Sequence, residues 1–182
     1  LIDRDDFAGF TSQNSSNLAW GGIKYLVSGE LGLVSKLCQS RNHLMAAFPS
    51  TVQEIRFLTT IEKGFRWSPV LLFLGAFFYW VLGRFFTAPP KFYRRRDLEH
   101  AEPLINAQGT RGGFEYSDAI LYDNDARFVF GFVRQAMTSG CIAANYVESL
   151  GGQRGPDGFW QIQCRDRVSG EGFQVRARTL VN

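Results

Sequence analysis

Between Lys63 and Arg96 the sequence carries no Asp or Glu, while Lys63, Arg66, Arg84, Lys91, Arg94, Arg95 and Arg96 flank a dense apolar stretch from Pro69 to Gly83. This is the sharpest composition shift in the chain. It restricts the available folds, because so much apolar surface has to be covered by protein or by lipid. Phe73, Phe77, Phe78, Tyr79 and Trp80 make the stretch aromatic as well as apolar. Its length is at or below the roughly 17 to 25 apolar residues that a spanning helix needs. Three placements follow: a membrane-facing element, a buried helix, or a true span. The aromatic content and the bracketing cations favour the first. They suit insertion at the headgroup boundary with attraction to anionic lipid, so peripheral membrane contact through residues 63–96 is the expectation.

The surrounding pattern is of mixed α/β type. From Ser28 to Phe48 the apolar residues Leu31, Val34, Leu37, Cys38, Leu44, Met45 and Phe48 recur near a 3.6 period, and Pro49 closes the segment. A second amphipathic pattern, Phe128, Val129, Phe132, Val133, Ala136 and Met137, follows Asp125 as its expected cap and stops at Gly140. Three strand-like runs, Cys141 to Leu150, Phe159 to Arg167 and Phe173 to Val181, are separated by glycine-rich turns and read as an antiparallel meander.

Composition excludes little else. The hydrophobic fraction of 45% suffices for a core, and a net charge of +3 gives no argument for nucleic acid. Cys38, Cys141 and Cys164 lack metal-ligand spacing, so free thiols in a reducing compartment are expected. Tyr116, Asp118, Asp123 and Asp125 read as turn residues and a helix cap, and no metal site is expected. His43 and His100 read as structural or surface histidines. The chain opens on a strand-like Leu1-Ile2 and closes on another apolar run, so both ends are expected to be cuts within a larger fold.

Leu1-Ile2-Asp3 places a carboxylate at the end of an apolar strand, where dinucleotide-binding folds receive a ribose hydroxyl. The stretch Thr11-Ser12-Gln13-Asn14-Ser15-Ser16-Asn17-Leu18-Ala19-Trp20-Gly21-Gly22-Ile23-Lys24-Tyr25-Leu26 resembles a hydroxyl-rich stretch and a Gly-Gly-x-Arg-Tyr-Leu segment of FAD-dependent glycerol-3-phosphate dehydrogenases. The resemblance runs on through Gly113 to Asp118, Asp125 to Phe128, Ala144 to Glu148, Cys164 to Asp166 and Val175 to Asn182. It implies an internal fragment of a Rossmann-like FAD-binding domain with an inserted mixed sheet-and-helix substrate domain. Residues 1–48 and 124–182 would belong to the cofactor domain, the second with the strand meander, and 49–123 to the substrate or membrane-facing segment. The phosphate loop and the later cofactor segment of the family are not in this sequence.

By the same resemblance, Asp3 would hold the adenosine ribose, and Thr11, Ser12, Ser15 and Ser16 would line the pyrophosphate and flavin. Gly21 and Gly22 would pass beneath the isoalloxazine, and the Val147 backbone would meet the adenine. Lys24, with Tyr25 beside it, would bind the substrate phosphate where the family carries an arginine. A lysine keeps the charge but loses the bidentate fork. Trp20 stands where the family usually has histidine, and an indole cannot accept or relay a proton. No catalytic base can be assigned from these residues.

The implied activity is oxidation of sn-glycerol 3-phosphate to dihydroxyacetone phosphate, with electrons passed to a membrane quinone. The implied location is peripheral, on the cytoplasmic face of a bacterial inner membrane; a homodimer is admitted. Trp20 and Lys24 keep a second reading open, a flavin oxidoreductase of the amino-acid-oxidase superfamily with another small substrate. A third is a membrane-associated relative without catalysis.

Overall fold

The computed structural model describes residues 1–181. Contacts divide the chain into two compact units, one of residues 1–15 with 123 onward, the other of residues 16–122. In contact terms residues 16–48 therefore belong with 49–122.

The unit of residues 16–122 is built on one long central strand. Strand β1 (Leu18–Ala19) is followed by helix α1 (Leu31–Ala47), strand β2 (Val52–Glu62), helix α2 (Pro69–Leu82), strand β3 (Lys91–Arg94), helix α3 (Arg95–Ala101) and strand β4 (Thr110–Leu121). Every pairing is antiparallel, and β4 is the shared partner. Strand β2 runs along one edge of β4 from Val52 opposite Leu121 to Glu62 opposite Thr110. The other edge is divided: β1 pairs at Ala119 and Ile120, and β3 pairs from Gly112 to Glu115. Because Ala19 lies opposite Ala119, residues 20 and 118 are carried to the same end of the sheet. That register positions the candidate site.

Sequence periodicity located α1 and missed α3 and these strands. Val52, Ile55, Phe57, Thr59, Thr60 and Ile61 give β2 the β-branched and aromatic content of a strand, but its alternation is blurred by burial against α1 and α2 on one side. Tyr116 and Asp118, expected in a turn, lie inside β4, and Asp118 is completely buried.

Helix α1 keeps the expected length but not the expected face. Val34 and Cys38 are buried, and the next residues on that stripe are Arg41 and Asn42, both buried too. Leu31 and Phe48 stay exposed.

Helix α2 starts where Ser68 accepts the Leu71 N–H and Pro69 takes the first turn, and it ends at Gly83. Its inner face places Ala76 and Tyr79 in two core clusters, with Val34 and Cys38 in one and Ile61 and Phe114 in the other. Val70, Leu71, Leu74, Phe77 and Phe78 remain exposed on its outer face. The apolar run is thus a helix covered by protein on one face only. Among the described residues no helix is long and apolar enough to cross a membrane.

The other unit carries helix α4 (Asp125–Thr138) and the strands β5 (Val147–Arg154), β6 (Trp160–Asp166) and β7 (Gly172–Ala177), which form the expected antiparallel meander. Residues 141 to 146 stay outside the strand, and the glycine pair at 151 and 152 lies within it, with a register shift between Ser149 and Gly151. Asn124, not Asp125, caps α4, accepting the Arg127 N–H at 2.7 Å. The chain start joins this unit through a parallel bridge between Ile2 and Ala144. Val147, Ile162 and Cys164 form its core.

In the sheet of residues 16–122, Arg56 on β2 donates to Glu115 at 2.7 Å, and Tyr93 on β3 donates to the other oxygen of Glu115 at 2.8 Å. The Arg56 hydrogen bond holds the Glu115 carboxyl below its ordinary value. A depressed acid stabilises the fold above its unfolded pKa, and that stabilisation is lost as the pH falls through the depressed value. Denaturation midpoints should therefore drop between about pH 6 and about pH 3, and Glu115→Gln should flatten part of that dependence. Parallel pH profiles for the two proteins would contradict this role.

Candidate functional site

The most constrained side chain in the molecule is Asp118, on β4, with no solvent exposure. One of its oxygens accepts the Gly21 N–H at 2.9 Å and an Arg41 Nη1 hydrogen bond at 3.0 Å. The Tyr79 hydroxyl lies 3.1 and 3.0 Å from the two carboxylate oxygens. Four segments thus meet at one carboxylate: β4 through residue 118 itself, α1 through Arg41, α2 through Tyr79, and the turn after β1 through Gly21.

Burial pushes the Asp118 carboxyl above its ordinary value, while Arg41 and the Gly21 N–H act in the opposite sense. Burial, and then the neighbouring Asp118 charge, push the Tyr79 phenol up as well, so it stays a donor at neutral pH. Arg41 spends its remaining donors on the Asn42 side chain, which in turn donates to the Gly83 carbonyl behind α2 at 2.9 Å. Every buried polar side-chain atom among the described residues has a partner.

This cluster fixes the Gly21–Gly22 turn. A Cβ on Gly21 would collide with the Tyr79 hydroxyl and lie 3.0 Å from the Cys38 sulfur. Gly22 has φ of 82°, in the left-handed region, and a Cβ there would come within 2.7 Å of Leu37. Packing against α1 and α2 therefore accounts for both glycines. After them a short 3-10 turn, Ile23–Leu26, is closed by the Tyr25 N–H on the Gly22 carbonyl at 2.9 Å.

That turn exposes Lys24. Its ammonium lies 5.0 Å from the centre of the Trp20 ring and 5.8 Å from that of Tyr25, and the two rings are 5.7 Å apart. Trp20, which cannot relay a proton, here offers a π face to a cation. Lys24, Tyr25 and Trp20 thus form one aromatic-backed positive point. Ser16, also in this unit, is exposed.

The remaining predicted residues lie in the other unit. Asp3, half-buried, follows the isolated bridge at Ile2. Its carbonyl accepts the Val147 N–H at 2.9 Å, and its carboxylate accepts the Asp5 N–H at 3.0 Å. Asp3 and Val147 are thus brought together by the backbone. Thr11 and Ser12 open a 3-10 turn that Ser15 ends.

Sequence reading missed Arg41, Asp118, Tyr79 and Cys38. The available signal was an Arg on the apolar stripe of α1, seven residues beyond Val34, and an Asp inside the apolar run before Leu121.

The fold is similar to part of a solved structure. The glycerol-3-phosphate dehydrogenase of Bacillus halodurans, complexed with FAD, superposes with a TM-score of 0.65 over 98% of this chain and 27% of that one, at 17% identity. No family model matches the chain. Over its whole length the chain is similar to proteins named glycerol-3-phosphate dehydrogenase. The Pseudomonas tolaasii protein of that name is 31% identical over 183 residues, covering all of this chain and 34% of that protein. An alpha-glycerophosphate oxidase of Streptococcus pneumoniae is 27% identical, covering all of this chain and 30% of its own length. The chain spans about a third of the length of the curated relatives it matches.

Removing the Asp118 carboxylate strands a buried guanidinium, a loss of about 3–5 kcal/mol. Asp118→Ala should lower the unfolding free energy measured in urea by that amount, and pairing it with Arg41→Met should restore part of the loss. A shift in the single variant below about 1 kcal/mol would show that the pair does not carry the fold.

Proposed function

We propose that this chain forms part of an FAD-dependent enzyme that oxidises sn-glycerol 3-phosphate to dihydroxyacetone phosphate. The single observation carrying this reading is similarity along the whole of this chain to proteins named glycerol-3-phosphate dehydrogenase, at 31% identity to one of them and without dependence on one motif. When bound, FAD would accept the hydride from the carbinol carbon.

The roles of this chain's residues are binding and orientation. The Asp3 carboxylate would accept a ribose hydroxyl, and the Val147 backbone beside it would meet the adenine edge, with Thr11, Ser12, Ser15 and Ser16 as small donors near the phosphates and the flavin. Gly21 and Gly22 would let backbone approach the ring, held in place from behind by Asp118. Lys24 would hold the substrate phosphate as a point charge. Tyr25 and Trp20 would keep the ammonium oriented, and an aromatic-backed lysine is a different device from a bidentate arginine.

Transfer of electrons to a membrane quinone suits the exposed apolar face of α2, Val70, Leu71, Leu74, Phe77 and Phe78, and the cations Arg66 and Arg84 near its ends. On this reading the contact is peripheral, through residues 63–96, at the cytoplasmic face of a bacterial inner membrane. A homodimer also belongs to this proposal. Trp20 in place of histidine favours one second reading, a related flavin oxidoreductase acting on another small substrate.

Anaerobic mixing of the flavin-loaded protein with glycerol 3-phosphate should bleach the oxidised flavin band, and glycine or D-amino acids should not. Bleaching by an amino acid alone would replace this reading with the second. Lys24→Met should raise KM for glycerol 3-phosphate roughly tenfold with little change in kcat, and Lys24→Arg should keep KM near the parent value. An unchanged KM in Lys24→Met would remove Lys24 from the phosphate site.

A further inference from the structure

Beside Lys24 the unit of residues 16–122 has an open apolar cavity of about 540 Å³. Its walls come from the turn after β1 through Ile23 and Leu26, from α2 through Leu72 and Gly75, and from β4 through Phe114. Lys24 is the one charged residue among those lining it. The volume lies within the roughly 300–1,000 Å³ of small-molecule sites and is far more than a three-carbon phosphate fills.

Gly75 lies in the wall of the cavity. Glycine in a helix interior weakens it relative to alanine. Here a Cβ would meet no atom within 4 Å, so nothing in the unit requires the glycine for close packing. Gly21 on the same unit is the contrast, because there a Cβ would strike Tyr79. The glycine at 75 leaves one wall recessed along α2.

We infer that this cavity binds a single-chain anionic amphiphile, its phosphate or carboxylate head on the Lys24 ammonium and its alkyl chain along α2 between Leu72 and Phe114. Charge complementarity selects this occupant. A cation at one end and apolar walls elsewhere match a ligand with one anionic end and an apolar remainder. A small polar anion leaves the walls unused, and a cationic amphiphile is repelled. Trp20 and Tyr25 strengthen the head-group end by holding the ammonium against their π faces. The inference needs Lys24 and the cavity only, not the flavin chemistry.

Isothermal titration of the complete protein, below micelle-forming concentrations, tests it directly. Monoalkyl phosphates from octyl to dodecyl should bind progressively tighter, by up to roughly fourfold per methylene as each is buried. Dodecanoate and dodecyl phosphate separate a carboxylate source from a phosphate-ester source, because both should bind and the doubly charged head should bind tighter. Dodecanol should bind at least tenfold more weakly. Gly75→Phe, which fills the recess without meeting another side chain at its Cβ, should abolish the chain-length dependence while leaving the far-UV circular dichroism unchanged. Lys24→Met should weaken dodecyl phosphate roughly tenfold and leave dodecanol unaffected. No heat of binding, or affinity independent of chain length in the parent protein, overturns the proposal, as does undiminished binding in a folded Gly75→Phe variant. Because the readout is heat, its failure is distinct from failure of flavin reduction by glycerol 3-phosphate.

Discussion

The ion pair between Arg41 and Asp118 decides how residues 16–122 can fold. Both side chains are almost wholly removed from water, at 2% and 0% exposure. Such a pair is tolerated only when hydrogen bonds satisfy what the charges leave over. Here Tyr79, Gly21 and Asn42 do so, with Asn42 in turn donating to the Gly83 carbonyl, and the segments they come from then have no freedom to slide. The apolar packing of α1 and α2 against the sheet supplies the larger stabilisation, but it is non-directional. The carboxylate supplies the register.

That register connects the fold to its chemistry. Asp118 sits on the sheet where β1 ends, so the first amide beyond Trp20 is drawn onto it. Gly21 and Gly22 are glycines because α1 and α2 close over them, and the turn they begin projects Lys24 outward. A residue buried in the core thus sets the position of an exposed cation without touching a substrate. In the other unit the equivalent work is done by backbone alone, through the bridge of Ile2 with Ala144 and the Val147 amide on the Asp3 carbonyl.

Helices α1 and α4 and the meander were legible in the sequence because their signals are local: a 3.6 period ahead of Pro49, a glycine after Thr138, glycine-rich turns between strands. The family was legible because the Gly-Gly segment and the acidic strand end lie in the expected order. The central sheet was not legible. Strand β4 contains a glycine pair, two acids and a tyrosine, a mixture that reads as loop until its partners on both edges are known. Asp118 was read as a turn residue for the same reason, since its partners Gly21, Arg41 and Tyr79 are distant in sequence. The membrane-like run was ambiguous because a helix apolar on all sides looks the same whether protein or lipid covers it. In the fold, Ala76 and Tyr79 point inward and Leu71, Leu74 and Phe78 do not.

The claim that a buried carboxylate holds the glycine turn is most directly tested at the Gly21 amide by residue-resolved hydrogen exchange under native conditions. If Asp118 accepts that N–H in the folded state, Gly21 should exchange only through the opening that releases the β4 core, with the protection of Ala119 and Leu121. Asp118→Asn should lower that protection. Exchange at Gly21 as fast as at the exposed Gly29, with β4 still protected, would contradict the account.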